Sequence, residues 1–92
     1  MTREELLKKY AAGERDFMGA DLAGVDLSGA DLNGAILMYA NLSGANLSRA
    51  NLMGAFLNGS DLSGANLSMT DLSGAELDGA ELSGTDLDDA IR

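Results

Sequence analysis

Residues 16–35 read DFMGA, DLAGV, DLSGA, DLNGA, four copies of a five-residue unit that continues without a break to DLDDA at residues 86–90. Fifteen units follow one another. The second place is Phe17 and then Leu at every fifth residue from Leu22 to Leu87, and the fifth place is always Ala, Val, Ser or Thr. The first place is mostly Asp, Asn or Glu, and the fourth is Gly in eleven of the fifteen units. A period of five matches neither the 3.6 of a helix nor the 2 of a strand, so each unit must contain a bend. Gly at the fourth place says where, because the third residue of a type II turn needs φ > 0. Four units depart from Gly there, with Tyr39, Arg49, Met69 and Asp89. A side chain is disfavoured at positive φ, so those corners are expected to bend differently.

If each unit turns the chain by about a right angle, four units close a square coil of about twenty residues, and stacked coils pair at the ~4.8 Å of neighbouring strands. Leu and the small residue then point inward, and the first, third and fourth places look outward. Neither alternative to this arrangement holds up. Twelve Gly would cost a long helix about 1 kcal/mol each, and a disordered tract has no need of an apolar residue at every fifth place.

The near-ideal copies A-D-L-S-G, A-N-L-S-G and A-D-L-N-G resemble the pentapeptide-repeat family, and the match covers residues 15–92. The resemblance implies an all-β, right-handed quadrilateral β-helix, here of about four coils. Parallel crossovers are nearly always right-handed.

Ahead of the repeats, residues 1–14 carry a helical signal. Thr2 and Glu5 form a T-x-x-E capping box, Met1 and Leu6 sit where a hydrophobic staple would, and Gly13 occupies a C′ position. Leu6, Leu7, Tyr10 and Ala11 give an apolar stripe. A solenoid exposes the Leu column and backbone edge of its first coil, so a lid is expected there, over Phe17.

Composition narrows the function classes. The chain has 92 residues, neither Cys nor His, and a formal charge of −9. The commonest general base and imidazole ligand are missing together, as is any thiolate site. Ser is abundant, but only at repeat places with no base to activate it. No enzyme and no cofactor are expected. Structural Ca²⁺ needs six to eight converging oxygens, and a column here offers one carboxylate per coil. The acidity argues against direct nucleic-acid binding or lying on anionic lipid. Met-Thr-Arg-Glu-Glu leads into charge rather than an apolar stretch, which points to a cytoplasmic protein with no membrane span.

Three surfaces are candidates for function. Met18, Ile36, Met38, Tyr39 and Phe56 converge on one face, with Met53 round the corner, as a protein-binding patch. Asp21, Asp61, Glu81, Asp26, Asp86, Asp31 and Asp71 form an acidic surface. Residues 16–92 hold twelve acids against two bases, net −10. Over a rod of about 18 Å that is roughly one charge per ~1.8 Å, against ~1.7 Å along duplex DNA. The resemblance gives that figure a meaning, because the gyrase-protecting branch of the family is understood as DNA mimics. Two features count against it: the rod matches only about five base pairs, and its middle coil, with Asn41, Asn46, Asn51 and Arg49, is nearly neutral. The third surface is the last coil, where Leu77, Leu82, Leu87 and Ile91 form an open edge expected to pair two copies about a two-fold axis. The leading expectation is a non-catalytic structural or protein-interaction module; the alternative is a DNA mimic acting on gyrase or a related topoisomerase.

Overall fold

In the computed structural model, which describes all 92 residues, every unit closes on itself. The amide of the fifth residue donates to the carbonyl of the second in all fifteen units, from Ala20 to Phe17 through Ala90 to Leu87, at 2.9–3.2 Å. The chain then stacks on itself one coil later. Twelve parallel bridges, each linking residues twenty apart, run from Asp16–Ile36 to Asp71–Ile91. They fix four columns: Asp16, Ile36, Phe56, Glu76; Asp21, Asn41, Asp61, Glu81; Asp26, Asn46, Asn66, Asp86; and Asp31, Asn51, Asp71, Ile91. Each column marks one face of the coil, named below by its first residue. Four units per coil is what the period implied.

The β-character is confined to single-residue bridges; no extended strand forms. The turn takes four of the five residues in each unit, which leaves one residue to pair on each side. Two amides of a unit, at the second and fourth places, point toward the following coil, as Phe17 to Ile36 (2.8 Å) and Gly19 to Met38 (2.9 Å) do. The first-place amide points back, as Ile36 does to Arg15 (2.8 Å).

The interior is a column of Leu. Leu22 through Leu72 are buried together with Phe17 and most of the Ala at the fifth place. Each fully buried Leu contributes about 1.5–3 kcal/mol relative to an exposed one. Two fifth-place hydroxyls are buried and both donate: Ser60 Oγ to the Leu57 carbonyl (2.8 Å) and Thr70 Oγ1 to the Leu47 carbonyl (2.7 Å). A buried hydroxyl without such a partner would be destabilising.

The cap is one helix, α1 (Arg3–Ala11). Thr2 and Glu5 complete the reciprocal capping box. At the other end the Gly13 amide donates to the Tyr10 carbonyl and the Glu14 amide to the Lys9 carbonyl, a Schellman stop with Gly13 at φ 99°. Leu6 is fully buried in the core cluster that includes Phe17, with Leu7 and Tyr10 packed against it. Ala11 is exposed, so the stripe is one residue narrower than its spacing suggested. The cap, Met1 and α1 together, also supplies donors to first-coil carbonyls that have no coil above them. The N-terminal amine donates to the Asp21 carbonyl, Arg3 to that of Asp26, and the Tyr10 hydroxyl to that of Asn33, at 2.7–2.9 Å. Arg15 lies over the Tyr10 ring, 3.6 Å from its centroid.

Candidate functional site

The first-place residues do more than face water. In twelve of the fifteen units the side-chain oxygen of Asp, Asn or Glu accepts the amide of the residue two places on, at 2.9–3.3 Å. This is an Asx-type bond, the local motif these side chains favour in turns. It satisfies the one amide in the unit that neither the turn nor a neighbouring coil reaches. Where the third residue is Ser, its hydroxyl can donate to the same oxygen, as Ser28 does to Asp26 (2.7 Å) and Ser63 to Asp61 (2.6 Å). These bonds favour the ionised form. The Ser28 hydroxyl and then its amide hold the Asp26 carboxyl below the usual range, and Ser63 and Ser73 do the same for Asp61 and Asp71. Glu81 is lowered by Ser83, with the neighbouring charge of Asp61 working against it.

The seven acids singled out from the sequence are therefore turn-capping residues spread over three faces. Asp21, Asp61 and Glu81 share one column, whereas Asp26 and Asp86 are separated by Asn46 and Asn66, and Asp31 and Asp71 by Asn51. Three of the seven, Asp26, Asp61 and Asp71, are Asp two residues before Ser, and Asp at the head of a turn is itself an Asx-turn signal.

The apolar patch assembles on the Asp16 face. Ile36 and Phe56 are stacked neighbours in its first column, and the Gly19 amide's bond to the Met38 carbonyl sets Met38 one coil below Met18. Met18 is 52% exposed, Tyr39 66% and Phe56 37%. Tyr39 lays its ring over Gly59 one coil on, so closely that a Cβ at Gly59 would sit 2.5 Å from Tyr39 Cε1. Met53 is exposed on the adjoining Asp31 face. On the Asp16 face alone the capping rule lapses. Ile36 and Phe56 carry no acceptor, and the amides of Met38 and Asn58 lack the bond their counterparts make. Glu76 leaves the Asp78 amide without it too. Acidic residues bound the patch, Asp16 at one end and Glu76 and Asp78 at the other.

The four corners without Gly bend as the Gly corners do, contrary to the sequence expectation. Tyr39, Arg49, Met69 and Asp89 have φ of 57–62°, in the same left-handed region as the repeat glycines. The cause lies outside the residue. Tyr39, Arg49 and Met69 donate to the next coil at 2.8–3.0 Å just as Gly does, and the turn bond closes around them. Three of the four, Arg49, Met69 and Asp89, follow one another on the Asp26 face, opposite the apolar patch. Arg49 and Met69, with Ser28, Gly29, Ser48 and Ser68, line a shallow groove of about 500 Å³.

In the last coil Leu77, Leu82 and Leu87 are only partly buried. The amides of Gly74, Leu77, Gly79, Leu82, Gly84, Leu87 and Asp89 have no partner, against the carbonyls of Ala75, Ala80, Thr85 and Ala90. Ile91 is not part of that rim. Its backbone pairs with Leu72 and Thr70 as a first-place residue, and its side chain is 54% exposed on the Asp31 face.

A coil of four five-residue units with inward Leu defines a class, the β-helical repeat proteins, and comparison assigns the family. The family model for pentapeptide repeats matches residues 16–54 and 55–91, in eight copies. The chain belongs to the pentapeptide-repeat family. It is similar to a pentapeptide repeat protein from Nostoc PCC 7120, with TM-score 0.95 and 45% identity over 97% of this chain and 74% of that one. It is also similar to a pentapeptide repeat protein of the Arabidopsis thaliana thylakoid lumen, with TM-score 0.82 and 33% identity over 87% of this chain and 56% of that one. Such neighbours imply a right-handed quadrilateral coil. No curated protein matches the chain.

Proposed function

We propose that the chain is a non-catalytic protein-interaction module that binds its partner through the apolar ridge on the Asp16 face. One observation carries this reading: on that face two consecutive units give up the capping residue that twelve others keep, and present Ile36 and Phe56 instead. Residues that break a local rule without a structural gain mark functional positions. Tyr39, at φ 60° where Gly would be unstrained, sits in the same patch. The flanking carboxylates define the partner as a surface apolar at its centre and basic at its margins.

The competing reading is that Ile36 and Phe56 stack to hold the coils together, a cross-strand pair worth a few tenths of a kcal/mol. Thermal unfolding of Ile36→Asp and Phe56→Asp separates the two. Restoring the cap is expected to raise the midpoint, the trade expected where a residue is kept for binding. A lower midpoint in both variants would make the ridge structural and withdraw the proposal.

A further inference from the structure

The Asp26 face, opposite the ridge, carries a pattern of its own. In three successive coils its fourth place holds Arg49, Met69 and Asp89, each at positive φ where eleven other units have Gly. Read down the column, the order is cation, apolar, anion. Arg49 is one of only two bases in residues 16–92, and it forms no ion pair within the chain. The remaining side chains of the face give it no partner either: Ser48 and Asn46 bond to each other, and Asp86 caps its own turn at Asp88.

We propose that this face is self-complementary and pairs with a second copy of the chain, antiparallel, about a two-fold axis at the level of Met69. An axis lying in the interface and perpendicular to the rod keeps each column opposite itself and reverses the order of coils. Met69 then meets the Met69 of the other copy. Arg49, one coil above, meets Asp89, one coil below, and the reciprocal pair forms on the other side, as an isologous contact requires. Asp86 and Asp88 add to the field at each Arg49. No other register does this. A parallel arrangement sets Arg49 against Arg49, and a shift of one coil sets Asp89 against the Gly29 notch and Arg49 against Met69.

Opposing the contact is the net charge of −9 on each copy. Exposed charges farther apart than ~8 Å are largely screened at 0.15 M salt, whereas the paired side chains are in contact. Three coils of one face make a small interface, below the ~1,200 Å² of stable complexes, so the dimer is weak and concentration-dependent. The Asp16 faces then point away from each other, making the pair bivalent for the partner proposed above. The inference stands on a different face and survives if that reading fails.

Charge reversal tests it, by sedimentation equilibrium at 0.15 M salt across micromolar to millimolar protein. Wild type is expected to dimerise, and Arg49→Asp and Asp89→Arg, each alone, to weaken association at least tenfold. An equimolar mixture of the two variants is expected to recover it, because one copy then brings acids at both places and the other bases. The double variant Arg49→Asp/Asp89→Arg regains it in a single chain. Leu87→Lys, at the open coil, leaves it unchanged. A wild type that is monomeric throughout, single variants that associate as well as wild type, or a mixture no tighter than its components would each overturn the proposal.

Discussion

Asp61 accepts the hydroxyl and the amide of Ser63, and Asp71 is held in the same way by Ser73. Asn46 and Asn66 make the amide bond without any charge. The difference between these caps appears only in acid. A carboxyl whose folded pKa is depressed contributes stability above its unfolded value, about 3.9 for Asp, and loses that contribution as pH falls through the folded value. Asp26, Asp61, Asp71 and Glu81 all shift downward, so their turns weaken below about pH 4. Acid also relieves repulsion among the other carboxylates, but that relief is spread over the rod and screened, whereas each turn bond is a contact. The double variant Asp61→Asn/Asp71→Asn is therefore expected to match wild type at pH 7 and to keep more of its thermal midpoint at pH 3. Equal acid sensitivity in the two proteins would show that these bonds contribute nothing.

At the scale of the coil and its helix, much was legible in the sequence and the reason is periodicity. The Leu column, the bend at the fourth place and the Thr2–Glu5 box each follow from a spacing, and each is found where the spacing put it. The role of the first place was not read, because an Asp that caps a turn and an Asp that only faces water occupy the same outward position. The left-handed corners at Arg49 and Met69 were misread because intrinsic preference was set against a bend held from both sides by bonds to other residues. The patch was legible as a cluster, but the lapsed caps beneath it appear only once the bonds are traced. α1 has a consequence of its own. It covers the carbonyls of Asp21, Asp26 and Asn33, and a last coil rich in free amides is the natural partner for such carbonyls. Deleting residues 1–13 is expected to let copies stack head to tail, an open heterologous contact that grows into filaments. Light scattering that rises with concentration, and rods in electron micrographs, would record it; a folded monomer at all concentrations would show that α1 guards nothing.

For the molecule as a whole, the acids are spread unevenly along the rod. Eight of the twelve carboxylates in residues 16–92 are tied to their own turns, the second coil is capped by Asn41, Asn46 and Asn51, and the longest dimension is 31 Å with α1 included. A duplex presents unbroken charge, and this rod has a neutral waist. Purified gyrase is expected to supercoil DNA at its normal rate in micromolar protein. Inhibition below micromolar, abolished when Asp21, Asp61 and Glu81 are neutralised together, would instead make the acidic column a mimic of the duplex. The coil bonds also give the rod an electrical direction. In each unit two peptide amides aim along the axis toward the C-terminal end and one aims back, so one peptide dipole of about 3.5 D per unit is left uncancelled. The sum places partial positive charge at the C-terminal end and negative charge at the N-terminal end, the reverse of an α-helix. Fixed charges at the two ends complement it: the N-terminal amine and Arg3 lie against first-coil carbonyls, and Asp86, Asp88 and Asp89 lie at the amide-rich end. Stacking coils thus builds a permanent dipole that lengthens with every repeat, and the acids clustered at the last coil are neutralised in part by the backbone itself.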